Sequence, residues 1–308
     1  MLYEYAVDPA ALGSSWARCR YILDQAGWDV GRLIARYPRK TWKAAALEAA
    51  KDIEGDIERA RVREAIELAT RYKCIKLGRE VQDAAADWID DAKLQQRVVP
   101  FQAIVADTPN DGAYSVLNID AVSVADPLWQ CPANWQVPKT GAAIASALEP
   151  LVRHSRDFKL IDPYFDVTGP RYLPTLVPLM TMAAAHGLEA VEVHCEERDQ
   201  VLDIGALTRQ APHGLQAQIP NGLSLRIYWW KAHPGGRRLH ARYSVSEKGG
   251  VRIDHGFSEQ PGALEDLSLM SEDVRADVFD AFSSGSTIFN QIGDGLEITN
   301  GSIARIAP

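Results

Sequence analysis

Between Arg237 and Gly250 the chain reads Arg237-Arg238-Leu239-His240-Ala241-Arg242-Tyr243-Ser244-Val245-Ser246-Glu247-Lys248-Gly249-Gly250. Its alternation predicts a strand over 238–246, with His240, Arg242 and Ser244 on one face and Leu239, Ala241 and Tyr243 on the other. A histidine and an arginine two apart on one strand face lie side by side. Such a pair can hold a phosphate between a ring nitrogen and a guanidinium fork. The surroundings suit an anion: residues 226–252 carry seven basic side chains, Arg237 and Arg238 among them, against one acid, Glu247. The rest of this half is acidic, at −9 for residues 101–308 within a total of −8. A basic island in an acidic half is either a solvated loop or a focused anion site.

The same residues resemble the signature of the phospholipase D superfamily, H-x-K-x(4)-D followed by a glycine-containing strand end. Here the pattern runs His240-Ala241-Arg242, four residues, Glu247, and then a strand ending near Gly256 and Ser258. Upstream, Lys159-Leu160-Ile161-Asp162-Pro163-Tyr164-Phe165 looks like the strand that opens such a domain. Together the two phrases are similar to phospholipase D-like proteins of prokaryotic anti-phage islands, over about residues 145–290. The resemblance implies a phosphodiesterase that needs neither metal nor cofactor, a nuclease rather than a lipase, working in bacterial defence against phage. It makes His240 the nucleophile that forms a phosphohistidine, Arg242 the phosphate clamp and Glu247 a charge partner.

That chemistry needs a second imidazole to protonate the leaving oxygen. The chain has one copy of the motif, because His154-Ser155-Arg156 is followed by Asp162 one residue out of register. A homodimer with one His240 from each subunit is therefore implied. The pattern departs from the family's where Lys becomes Arg242, Asp becomes Glu247, and the following element reads Gly256-Phe257-Ser258-Glu259. Charge signs survive at the first motif, so phosphate binding is retained. The departures also fit a second class, a catalytically inactive module that binds nucleic acid or a partner protein in a defence complex. The partners implied are nucleic acid, DNA rather than RNA, and a helicase or ATPase.

Other candidates come from position. Asp162 and Tyr164 follow a predicted parallel strand, where open α/β sheets place ligands; Asp162-Pro163 is equally turn chemistry. Asp254 and His255 close the strand after the motif, and either approach His240 or are a plain strand end. His194, Glu196 and Glu197 end another strand and read as a metal site or a solvated loop; no metal centre is predicted. Residues 31–43 carry Arg32, Arg36, Arg39, Lys40 and Lys43 without an acid, interleaved with Tyr37 and Trp42. With Arg32 and Arg36 on one face of a predicted helix, they suit either a nucleic-acid backbone or a plain basic surface. No Walker loop, Rossmann glycine fingerprint or H-E-x-x-H occurs, which disfavours nucleotide-driven motors and zinc proteases.

The elements that would position these residues divide the chain. Asp8-Pro9 reads as a helix start, with helix to about Ala26 and again over 30–37, 41–50, 52–72 and 80–96. An all-helical domain is expected over 1–96. From Arg97 the pattern turns β-rich and then alternates, predicting helices over 140–155, 171–186, 199–209 and 272–283. Strands are predicted over 158–162, 190–195, 223–230, 238–246 and 250–257. This gives an α/β fold, with a phospholipase D-like mixed sheet flanked by helices over 97–308. At 46% hydrophobic and 24% charged residues the composition is ordinary globular. Four cysteines without a C-x-x-C pair fit a reducing compartment. No signal peptide is read, and the apolar stretch 172–185, with two prolines, is too short to cross a bilayer. A soluble cytoplasmic protein with no membrane partner is expected.

Overall fold

The computed structural model describes residues 2–76, 87–166, 169–197 and 215–307. The chain is α/β, with eight α-helices and fifteen strands among the described residues. It divides into two compact units, 1–133 and 134–308.

The first unit contains a five-stranded sheet, all of whose pairs are parallel. Its strands are β1 (Tyr3–Val7), β2 (Arg32–Ala35), β3 (Cys74–Ile75), β4 (Ala103–Ala106) and β5 (Val116–Asn118), in spatial order β3-β2-β1-β4-β5. Helices α1 (Pro9–Gly13), α2 (Trp16–Asp24), α3 (Trp42–Ala49), α4 (Asp56–Tyr72) and α5 (Trp88–Val98) connect them. The first hundred residues are therefore not all-helical. The run Leu33-Ile34-Ala35, predicted as helix, is a strand buried along its length. Parallel strands covered on both faces read as short apolar runs, which periodicity cannot separate from helix. The boundary also moves, from 96/97 to 133/134, because β4 pairs with β1 and β5 with β4. Part of the helix predicted over 80–96 lies outside the described residues.

This unit's core closes around Trp42 and Trp129, both fully buried. Their indole N–H groups donate to Val7 O at 2.8 Å and to Gln25 Oε1 at 3.0 Å. Strand order reverses between β1 and β4, the place where such sheets form ligand crevices. Here the polar groups satisfy one another: Asp8 caps α1 by accepting from Ala10 N and Ala11 N, and Arg18 spans Asp107 and Asp120.

The second unit holds a ten-stranded mixed sheet. In chain order its elements are β6 (Asn134–Pro138), α6 (Gly141–His154), β7 (Phe158–Ile161), α7 (Leu173–Ala185), β8 (Ala190–Glu196), β9 (Ser224–Ala232), β10 (Arg242–Ser246), β11 (Gly250–Ile253) and β12 (Leu264–Leu269), then α8 (Glu272–Ala281), β13 (Phe289–Gln291), β14 (Gly295–Ile298) and β15 (Ile303–Ile306). The path is β15-β14-β9-β8-β7-β10-β11-β12-β6, with β13 pairing β9. Strands β7, β8 and β9 run parallel, and β10 returns antiparallel to β7. Helix α8 packs Val278 and Ala281 with Ile161 and Val245. The helix predicted over 199–209 lies outside the described residues, and the strand predicted from 238 begins only at Arg242. No helix among the described residues is long and apolar enough to cross a membrane.

Candidate active site

The antiparallel return of β10 decides what meets what. Tyr243 is in register with Ile161, so Arg242, the first residue of β10, stands beside the chain leaving β7 at Asp162. Leu239 is buried in the core under α8, which turns the next residue, His240, out to solvent. Nδ1 of His240 lies 2.8 Å from the Tyr164 hydroxyl, with the two rings edge to face.

The Arg242 guanidinium lies over the Tyr164 ring, 4.6 Å from its centroid. Its Nη1 donates to Asp254 O at 2.8 Å, and its Nε stands 3.7 Å from Asp162 Oδ1. That Nε is buried without a hydrogen bond. Asp162 is itself 2% exposed and accepts from Tyr164 N and Phe257 N. Burial lifts its carboxyl above the ordinary range, opposed by those two N–H bonds and by the charges of Arg242 and Lys139. Asp162 is thus both turn-maker and counter-charge.

Gly256 completes the wall. Its φ is +88°, and a Cβ there would come 2.7 Å from both Arg242 Cδ and Asp162 Oδ2. Backbone conformation and space both require glycine. The loop carrying it is fixed from beneath by a buried pair, Lys139 Nζ to Glu265 Oε2 at 2.5 Å. Glu265 Oε1 also accepts from His255 N at 2.6 Å. Neither Lys139 nor Glu265 is predicted from the sequence. The available signal is slight: a lysine closing one strand and a glutamate on the inward face of another.

Several predicted residues lie elsewhere. Glu247 sits past the other end of β10, where its carboxylate accepts from Arg156 N and Asp157 N. Five residue steps along the extended chain put it about 16 Å from Arg242. It is not a charge partner of His240 or Arg242. Arg237 is ion-paired with Asp277 of α8, whereas Arg238 is exposed. Asp254 contributes its carbonyl rather than its carboxylate; His255 is exposed, and Ser258 is half-buried just beyond Gly256. His194 belongs to neither a solvated loop nor the strand's end, since it is 1% exposed and bonded to Trp230. Among the described residues no cluster of three or more His, Cys, Asp or Glu is arranged to hold a metal ion.

In the first unit, Arg32 and Arg36 do not share a helix face. Arg32 opens β2 and is spent on Trp129 O, Gln25 O and the Trp129 ring. Arg36 follows the other end of that strand, and Arg39 and Lys40 are exposed in the turn before α3. Compared with known proteins, the chain matches no protein-family model and no curated protein.

Proposed function

We propose that the second unit is a phosphodiesterase of the phospholipase D type that cleaves nucleic acid, with His240 as nucleophile. The observation that carries this reading is the Tyr164–His240 contact at Nδ1, which leaves Nε2 to face solvent. Nε2 attacks phosphorus, an N–P bond forms as the P–O bond to the leaving oxygen breaks, and water later hydrolyses the phosphohistidine. Arg242, held by Tyr164, Asp254 and Asp162, offsets charge on the equatorial oxygens. The leaving oxygen's proton comes from a second imidazole, supplied by His240 of a second copy in a homodimer. No metal or cofactor takes part. A helicase or ATPase partner and a role in defence against phage rest on the resemblance, and a cytoplasmic setting on the cysteine usage.

One experiment tests the reading: cleavage of DNA and RNA oligonucleotides in EDTA by the wild type and His240→Ala. Cleavage by the wild type alone, with binding retained in the variant, is expected. Cleavage that needs magnesium or survives His240→Ala overturns the mechanism.

A second reading, the inactive binding module, gains from the neutralisation of the basic island. Arg226 pairs with Glu297, Lys231 with Glu197 and Arg237 with Asp277. In that case Arg242 and Arg238 hold a phosphate without turnover, and oligonucleotides bind with salt-sensitive affinity but stay intact.

A further inference from the structure

A second constellation stands on the sheet face covered by α8, and it owes nothing to His240. Lys159 on β7 is in register with Glu192 on β8, and His194 is the next residue on that face. Lys159 is 5% exposed and His194 1%. With Tyr228, Trp230 and Phe279 they line a cavity of about 390 Å³, and pockets for small ligands span about 300–1,000 Å³. Burying Lys159 and His194 beside the half-buried Glu192 under a helix is costly where apolar residues would pack. These groups border open space instead of filling a core.

Tracing each polar group defines what the cavity offers. The Lys159 ammonium donates to Phe282 O at 2.8 Å and Ser283 Oγ at 3.0 Å. Trp230 Nε1 donates to His194 Nδ1 at 3.0 Å, so the proton of the neutral imidazole sits on Nε2. That nitrogen faces Glu192 Oε2 at 3.3 Å. Burial lowers the imidazole's pKa and so favours its neutral form. Burial also acts to raise the half-buried Glu192 carboxyl, but the His194 bond and the Lys159 and Arg226 charges outweigh it and hold that carboxyl below its ordinary range. Glu192 Oε1 has no hydrogen bond among the described residues. Asp157 adds a second negative charge to the lining. The opening is therefore acceptor-rich, net negative and walled by aromatic rings, with Tyr228 stacked on His194 at 5.2 Å.

We infer that this cavity binds a small organic cation, an amine or guanidine whose N–H groups reach Glu192 and whose body lies against Tyr228. A carboxylate among aromatic faces is the arrangement that desolvates and holds such cations.

Calorimetric titration of the full chain with tyramine, agmatine and tyrosol tests it; tyrosol is tyramine with a neutral hydroxyl in place of the ammonium. Saturable binding of tyramine or agmatine is expected, with tyrosol weaker by about tenfold, the worth of one charge-assisted hydrogen bond. Glu192→Gln should abolish the preference for the cation, and Tyr228→Leu should weaken binding severalfold while leaving Glu192 in place. If Glu192→Gln fails to fold, the Tyr228→Leu and tyrosol comparisons decide. No binding of either cation at millimolar concentration, equal binding of tyrosol, or unchanged binding in a folded Glu192→Gln overturns the inference. Loss of oligonucleotide cleavage in His240→Ala leaves it untouched.

Discussion

The Tyr164 hydroxyl and His240 Nδ1 stand 2.8 Å apart, and the same tyrosine ring carries the Arg242 guanidinium on its face. One side chain thus orients both groups of the proposed phosphate site by different atoms. Removing the hydroxyl alone should separate their roles. Tyr164→Phe keeps the ring under Arg242 but frees the imidazole, so kcat should fall about 10- to 100-fold, the worth of a hydrogen bond to a group that gains charge. KM should change little. Tyr164→Ala should raise KM as well, because Arg242 loses its platform. Steady-state kinetics on an oligonucleotide distinguish the two patterns.

The buried Lys139–Glu265 pair holds the strand end that brings Gly256 and Phe257 to Arg242 and Asp162. Lys139→Met should destabilise the second unit by about 3–5 kcal/mol, since Glu265 is left charged and unpaired. The double variant Lys139→Met/Glu265→Leu should recover most of that loss. Urea unfolding measures both; equal losses in the single and double variants would show that the pair is not the cause.

How far the sequence could be read depends on what each element announces. Helices α6 to α8 were readable because each has enough patterned residues to declare its period, and strands β7, β8 and β9 because short apolar runs alternate with those helices. In the first unit the β-rich runs that hold β4 and β5 were legible after Arg97, whereas β1, β2 and β3, of five, four and two residues, were not. An apolar run as short as Leu33-Ile34-Ala35 shows no period that separates strand from helix. His240 and Arg242 were found because they lie two residues apart in one local motif, although His240 precedes β10 instead of standing on it. Lys139 and Glu265, 126 residues apart, meet only through the pairing of β6 with β12, which no local pattern encodes. Glu247 was misplaced because a motif counts residues, whereas an extended strand carries each one about 3.3 Å further away.

Glu247 should therefore matter for stability and not for turnover. Its carboxylate accepts from two backbone N–H groups just ahead of β7. Glu247→Ala should cost about 1–2 kcal/mol, as those donors lose a protein acceptor. Activity per folded molecule should stay at the wild-type level. A large fall in kcat with unaltered melting would restore Glu247 to the chemistry.

The last prediction concerns acid and His194. Its imidazole is buried and donates toward Glu192, near Lys159 and against Tyr228, Trp230 and Phe282. Burial lowers its pKa from the ordinary 6.5, outweighing the opposing pull of Glu192. Below about pH 6.5 the unfolded chain takes up a proton that the folded one refuses, so stability falls as pH drops, with a limiting slope of about 1.4 kcal/mol per pH unit. Glu192, held low in the fold, adds a loss of the same sign only below its ordinary 4.5. Asp8 and Asp162, raised by burial, act oppositely, gaining stability as pH falls from their folded values towards 3.8. The step just below pH 6.5 accordingly belongs to His194. Urea midpoints between pH 7 and pH 5 should slope downward in the wild type and flatten in His194→Phe, whatever that variant's absolute stability. An unchanged slope in the variant would assign the acid sensitivity to another group.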